Sequence, residues 1–256
     1  MSRPPKKSKE RLMYEKKHKQ SLNKQIRKER ELRNLKPNAY PVTRLILIRD
    51  FLRSTDLYKA IGLFVMAQIA IISVSASITH PHIAGALNLL AVIISIVLVI
   101  VSIREINKRQ RKDDTRRPVN FSHVVRTLII MIALIMFMTM MFALFNIELD
   151  TQPNQETLNT LTGHFPLVMI LIITIVSPIV EELVFRELIP YATGPSYVSF
   201  IVASIIFIVL HAPYGLLGWL SYTILSCGFL LARLSNNNVY TAIIVHMIWN
   251  ILSLVA

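Results

Sequence analysis

Cysteine is all but missing from this chain. Cys227 is the only one in 256 residues, so an intrachain disulfide is excluded. It falls in an apolar run and is expected to be a packing residue, since free cysteine is so often buried. Acidic residues are scarce as well, 15 Asp and Glu against 28 Lys and Arg, for a net charge of +13. A cleavable signal peptide is not expected. The first 57 residues are charged, with no short apolar stretch and no small-residue cleavage site. The first spanning helix is therefore expected to act as the insertion signal. No internal repeat and no soluble second domain is visible. Nor is there an HExxH, the pattern in which one helix supplies two metal ligands.

What the chain has in quantity is apolar sequence. It is 53% hydrophobic, with a mean hydropathy of +0.51, where a soluble domain has ~45–50% apolar residues even with glycine counted. Seven apolar segments stand at about 60–78, 83–103, 124–145, 165–185, 197–212, 215–232 and 239–255. Most are close to the ~17–25 residues needed to cross a bilayer as a helix. The fold class expected is therefore all-α, a polytopic membrane helical bundle with about seven transmembrane helices. Pro213 disfavours helical backbone at Ala212, so the fifth and sixth segments read as a helical hairpin. The methionines of the third segment (Met131, Met136, Met138, Met140, Met141) read as lipid-facing or interhelical packing. His80, His82, His123 and His164 fall in loops or at ends and suggest no role.

The charge is concentrated at one end. Residues 1–59 hold 18 Lys or Arg against 6 Asp or Glu, and the remainder is nearly neutral. Residues 1–57 read as a basic cytoplasmic tail, with an interfacial helix near 42–53 (VTRLILIRDFLR); residues 58–256 read as the membrane domain. The tail lacks aromatic interleaving or a recognisable module, so no nucleic-acid partner is expected. Anionic lipid headgroups, at ~1 kcal/mol per basic residue near the surface, are the simpler partner. The basic loop 104–118 belongs on the cytoplasmic side by the positive-inside rule. The acidic loop 146–164 belongs outside. Alternation then places the N-terminus inside and the C-terminus outside.

Against this apolar background a few polar groups stand out. Glu181, Glu182 and Arg186 occur in SPIVEELVFR, and an ionisable group at membrane depth costs ~2.5–3.5 kcal/mol on insertion scales. Glu182 and Arg186 are four apart and share a helix face, so they can pair. Glu181, about 100° away, is the freer carboxylate and suits a general base. His211 ends FIVLH, one turn after Phe207. His246 and Asn250, also four apart, lie on one face of the last segment. A free Glu, two His and an Asn on separate segments can activate a water on one side and stabilise an oxyanion on the other. Glu181, His211 and His246 are equally a possible set of Zn²⁺ ligands with a position left for water. The spacing does not decide between the two. A proton-coupled transporter would also bury Glu and His, but inverted repeats and paired broken helices are missing.

EELVFR, FIVLH and HMIWN resemble, in order, the EExxxR, FxxxH and HxxxN motifs of the CPBP family, the CAAX-protease and bacteriocin-processing proteins also called ABI or Rce1-like. The resemblance covers about 165–255. It implies an intramembrane endopeptidase acting near the cytoplasmic face on a peptide or membrane-linked protein. Glu181 would be the general base, and His211 would position or polarise the water. His246 and Asn250 would support the oxyanion, with Glu182 and Arg186 as a supporting pair. The family is labelled metalloprotease, and a metal-free glutamate mechanism is also proposed for it. A non-catalytic role, as a partner-binding protein in toxin immunity or sensor regulation, is the alternative.

Two features depart from a simple match. Glu187 stands where the family often has glycine, and it is expected to keep helices apart unless it reaches the cytoplasmic surface. Depth is the other. At ~1.5 Å per residue, Glu181 and His246 lie ~10 Å from the cytoplasmic ends of their segments and His211 lies ~20 Å in. A single site requires tilt or longer helices.

Overall fold

A computed structural model describes residues 51–111, 113, 115–147 and 166–255, together with Met13. The basic tail and the expected interfacial helix lie outside the described residues apart from their last few positions, as do His164 and most of the acidic loop.

All regular structure among the described residues is helical. We label the helices α1 (Thr55–Thr79), α2 (Ala84–Gln110), α3 (Phe121–Leu144), α4 (residues 166–192), α5 (Tyr197–Leu210), α6 (Gly215–Ser235) and α7 (Val239–Val255). These seven correspond to the seven apolar segments. Five are long and apolar enough to cross a membrane, while α5 and α7, with 14 and 17 residues, are shorter. Caps set several starts. The Ser54 side chain accepts from the Asp56 N–H and that of Asn120 from the Ser122 N–H. Ser196 and Ser199 form a reciprocal capping box at α5.

α4 is the centre of the bundle. In its most apolar window 61% of residues are buried, against 22–28% in α1, α2, α3 and α6. The outer helices keep apolar residues on their outside, as Ile61, Val65, Ile69 and Ile72 do along α1. Outward apolar stripes of this kind are what a lipid solvent permits. The methionines of α3 divide the same way: Met131 and Met138 are buried, Met136 and Met140 exposed. Met131 packs against Gly228 of α6, where a Cβ would overlap its side chain. Cys227, next to that glycine, is exposed rather than buried. Its position is about 100° off the inward face, so the expected packing role is replaced by an outward one.

α4 is not a uniform helix. It contains two π-helical stretches, Ile172–Val176 and Val184–Leu188. Each is followed within two residues by a proline, Pro178 and Pro190. A proline cannot donate to the carbonyl four residues back, and its ring crowds that carbonyl. In α4 the preceding N–H bonds five residues back instead, Ser177 to Ile172 and Ile189 to Val184. The chain thus passes two prolines without breaking. α4 runs to Ala192, beyond the sequence-based end at 185, which puts Glu181 about 15 Å from that end. Glu181 is thereby brought nearer the depth of His211.

The longer helix also changes the reading of Glu187. It is neither a spacer nor a surface group but is fully buried. Arg233 of α6 donates from Nε to Glu187 Oε1 at 2.7 Å, and Arg116 of the α2–α3 loop donates to Oε2. Burial by itself would lower the Arg116 pKa, but the Glu187 carboxylate outweighs it and the pKa is raised, so Arg116 is charged. Three consecutive asparagines complete the junction. Asn236, Asn237 and Asn238 donate to the Pro118, Thr115 and Arg117 carbonyls respectively. Arg233 also donates to Asn237 Oδ1 at 2.8 Å. The α2–α3 loop is therefore fastened to the α6–α7 turn and, through Glu187, to α4. Replacing Glu187 by alanine removes the carboxylate shared by two buried guanidinium groups, leaving Arg116 with Asp113 at 3.5 Å and Arg233 with the neutral Asn237. Breaking such a cluster costs ~3–5 kcal/mol, so Glu187→Ala should show a clear loss of thermal stability in detergent, while Lys59→Ala, at a half-exposed pair with Glu105, should show little.

Candidate active site

Three helices converge on one carboxylate. Glu181 Oε2 lies 3.9 Å from His211 Nε2 and 3.9 Å from His246 Nε2. Glu181 is on α4, His211 caps the C-terminus of α5, and His246 is on α7. Glu181 and His211 are partly open, with 19% and 22% of their side chains exposed, whereas His246 is buried. The site is thus partly open at Glu181 and His211 and closed at His246.

Both imidazoles are oriented through their second nitrogen. His211 Nδ1 is 2.8 Å from the Phe207 carbonyl. A carbonyl only accepts, so Nδ1 carries the hydrogen, and in the neutral ring Nε2 is left as an acceptor. His246 Nδ1 is 3.0 Å from Glu182 Oε1, which fixes the same tautomer. The two acceptor nitrogens therefore meet on the same oxygen of Glu181. This convergence is the property that the three sequence motifs do not state.

Glu182 is fully buried and has two partners. One is His246. The other is Arg186, whose Nε lies 3.5 Å from Oε2 as an ion pair without an aligned hydrogen bond. Arg186 is held in turn by α6, where Nη2 donates to the carbonyl and the hydroxyl of Ser226, each at 3.2 Å. Its guanidinium also lies 5.1 Å from the Phe207 ring centre, within cation–π range. Pairing of Glu182 with Arg186 follows the sequence expectation. The bond from His246 to Glu182 does not, because residues 64 apart share no visible periodicity.

Aromatic rings wall the site. The Phe207 and His211 ring centres are 4.2 Å apart, and Phe229 of α6 stacks on His246 at 4.1 Å and 17°. Phe229 was not singled out in the sequence; an inward aromatic on α6 looks like any other core residue there. Asn250 donates from Nδ2 to the Ile173 carbonyl at 2.9 Å. That carbonyl belongs to the first π stretch, where helical pairing is disturbed, so Asn250 ties α7 to α4 at this level.

The donor types also bear on a metal. Zinc-bound histidines usually give their second N–H to a carboxylate or a carbonyl, as both rings do here. In a tetrahedral site with Zn–N and Zn–O near 2.0–2.2 Å, ligand atoms sit about 3.4 Å apart. The observed separations of 3.9 Å are longer than that. Among the described residues no group of three His, Cys, Asp or Glu side chains forms a metal-binding cluster.

Residues 163–252 match the family described as type II CAAX prenyl endopeptidase Rce1-like. The match falls on α4 to α7. The matched stretch contains all of the residues described above as the site. A curated relative, the UPF0177 protein YvdC of Lactococcus lactis subsp. lactis, is 30% identical over 126 residues. That alignment covers 48% of this chain and 48% of the relative, so the match spans about half the length of each protein. No solved structure matches.

Arg186 tests this arrangement. Arg186→Ala leaves Glu182 buried beside a single neutral imidazole, a loss of ~3–5 kcal/mol by analogy with other broken buried pairs. The expected result is a fall in folded protein, seen as reduced membrane yield and a lower unfolding temperature. Glu182→Gln combined with Arg186→Met removes both charges and should recover much of that yield.

Proposed function

We propose that this protein is an intramembrane endopeptidase in which Glu181 is the general base. The observation that carries the reading is the meeting of two acceptor imidazole nitrogens on one Glu181 oxygen. A water bound there gives one hydrogen to Glu181 and the other to a histidine Nε2, which aims its lone pair outward. Glu181 takes the proton as the water oxygen attacks the scissile carbonyl carbon. The C–O bond forms, the C=O π bond opens, and charge develops on the carbonyl oxygen. Collapse re-forms the carbonyl and breaks the C–N bond, and Glu181 returns its proton to the leaving amine. The products are a carboxylate and an amine.

Glu182 gives His246 a distinct part. The His246 Nε2, turned toward Glu181 by the Glu182 contact, takes up from Glu181 the proton removed from the water, and the Nε2–H then donates to the oxyanion until that proton passes back through Glu181 to the leaving amine. Asn250 has a second amide hydrogen beyond the one given to Ile173, and it supports the same oxygen. His211 holds the water. Zn²⁺ held by Glu181, His211 and His246 would supply a more acidic water, provided that the three drew closer together. In either case the side chains above position the water and the substrate.

The substrate in this reading is a peptide or a membrane-associated protein presented near the cytoplasmic face. The Lys- and Arg-rich α2–α3 loop then lies inside the cell, with the N-terminus inside and the C-terminus outside. The basic tail rests on anionic lipid headgroups.

The test compares protein termini in cells carrying wild type, Glu181→Gln or no copy, at matched protein levels. Glu181→Gln keeps the shape and removes the base. We expect turnover to fall by about 10²–10⁴-fold, with insertion and stability unchanged, and the same termini to vanish in the variant and the deletion. Normal termini in the variant would sink the general-base role.

A further inference from the structure

α6 contributes to the site along one face, and none of this follows from the three motifs. Tyr222, Ser226, Phe229 and Arg233 recur at helical spacing, at i, i+4, i+7 and i+11. Each meets a different part of the catalytic region. Ser226 accepts from Arg186, Phe229 stacks on His246, and Arg233 pairs with Glu187. Tyr222 lies against His211, with ring centres 4.9 Å apart and planes inclined by 39°. Phe207 also packs against that imidazole, at 4.2 Å and 42°. The ring of His211 therefore has two aromatic neighbours, one from its own helix and one from α6.

His211 needs such support more than His246 does. His246 is buried in mid-helix with a charged partner on Nδ1. His211 caps the end of α5, and the backbone turns away immediately after it. Ala212 has φ of 46°, a left-handed conformation for a residue with a Cβ, and Pro213 follows. The single hydrogen bond to the Phe207 carbonyl is compatible with a ring that swings about that contact. A ring flip would put Cδ2–H at the Phe207 carbonyl and Cε1–H toward Glu181, so both nitrogens would lose their partners and the Nδ1–H tautomer its support. Two aromatic rings packed against the imidazole oppose that motion.

We propose that Tyr222 is a positioning residue of the active site, whose ring, together with that of Phe207, holds His211 with Nδ1 on the Phe207 carbonyl and Nε2 toward Glu181. The assignment rests on the reading of Glu181, His211 and His246 as one working site. It predicts that the ring of Tyr222 matters to His211 and the hydroxyl does not.

The test has two readouts. Protein labelled with ¹⁵N-histidine is purified in detergent micelles, and the His211 ring signals are assigned by their loss in His211→Gln. Ring ¹⁵N shifts report which nitrogen carries the hydrogen. Wild type and Tyr222→Phe should both show the Nδ1–H form, and Tyr222→Leu should show a mixture. A Tyr222→Leu protein that stays folded by size exclusion and keeps the wild-type ring pattern would overturn the proposal. If Tyr222→Leu fails to fold, Tyr222→Met, closer in volume and without a ring, takes its place under the same criterion.

Cleavage supplies the second readout, on a substrate found by the terminus comparison. Misplacement of a water-binding group by about 1 Å costs up to ~10²-fold. Tyr222→Leu should therefore lower kcat about tenfold or more while KM changes by less than about threefold, and Tyr222→Phe should stay near wild type. A rise in KM alone would assign Tyr222 to substrate binding and overturn the positioning role. The ring signals decide the proposal even if no cleavage is ever detected, so its failure and that of the peptidase reading are separable.

Discussion

The buried carboxylate of Glu182 holds the active region together. In an apolar bundle, a charge without partners is too costly to keep. Glu182 therefore needs both Arg186 and His246, and these two come from opposite directions, one along α4 and one from α7. Arg186 in turn requires the Ser226 acceptors of α6, and its guanidinium lies against Phe207 of α5. One ionisable group thus dictates how four helices meet. The Glu182 carboxylate keeps a hydrogen on His246 Nδ1 and turns Nε2 toward Glu181.

The same logic repeats one turn away. Glu187 is buried between Arg233 and Arg116, and the asparagines of the α6–α7 turn bind the backbone of the α2–α3 loop. Where a glycine would let helices approach closely, this chain has an ion cluster that links them. α4 is therefore anchored at two levels, by Glu182 at the candidate site and by Glu187 beyond it. The intervening π stretch, required by Pro190, widens the turn that carries both Arg186 and Glu187. Strain from a proline and placement of polar side chains are solved together in one element.

Much of this was readable in the chain. Long apolar runs gave seven helices near their expected places, because a bilayer sets helix length and requires backbone hydrogen bonds to close within each helix. Glu181, His211 and His246 were legible as a group because ionisable residues in such runs are rare. The Glu182–Arg186 pair was legible because four residues make one helical turn. Other features were not. The apolar run placed the end of α4 too early, since it stops at Arg186 and Glu187, and the π stretches that carry the helix past Pro178 and Pro190 have no sequence mark. Cys227 was expected inside on the habit of its residue type, and the register of α6 turned it outward. Tyr222 and Phe229 looked like ordinary membrane residues.

The sequence by itself determined the class of solvent, the seven apolar helices found among the described residues and the chemical types gathered in the last four. Those are local properties, fixed by hydropathy, by spacing within one helix and by the cost of a charge in lipid. Only the tertiary structure decided which nitrogen faces Glu181, which partner neutralises Glu182 and which rings pack against His211. Each of those contacts joins residues on different helices, and the relative height and rotation of packed helices arise from all their side chains together.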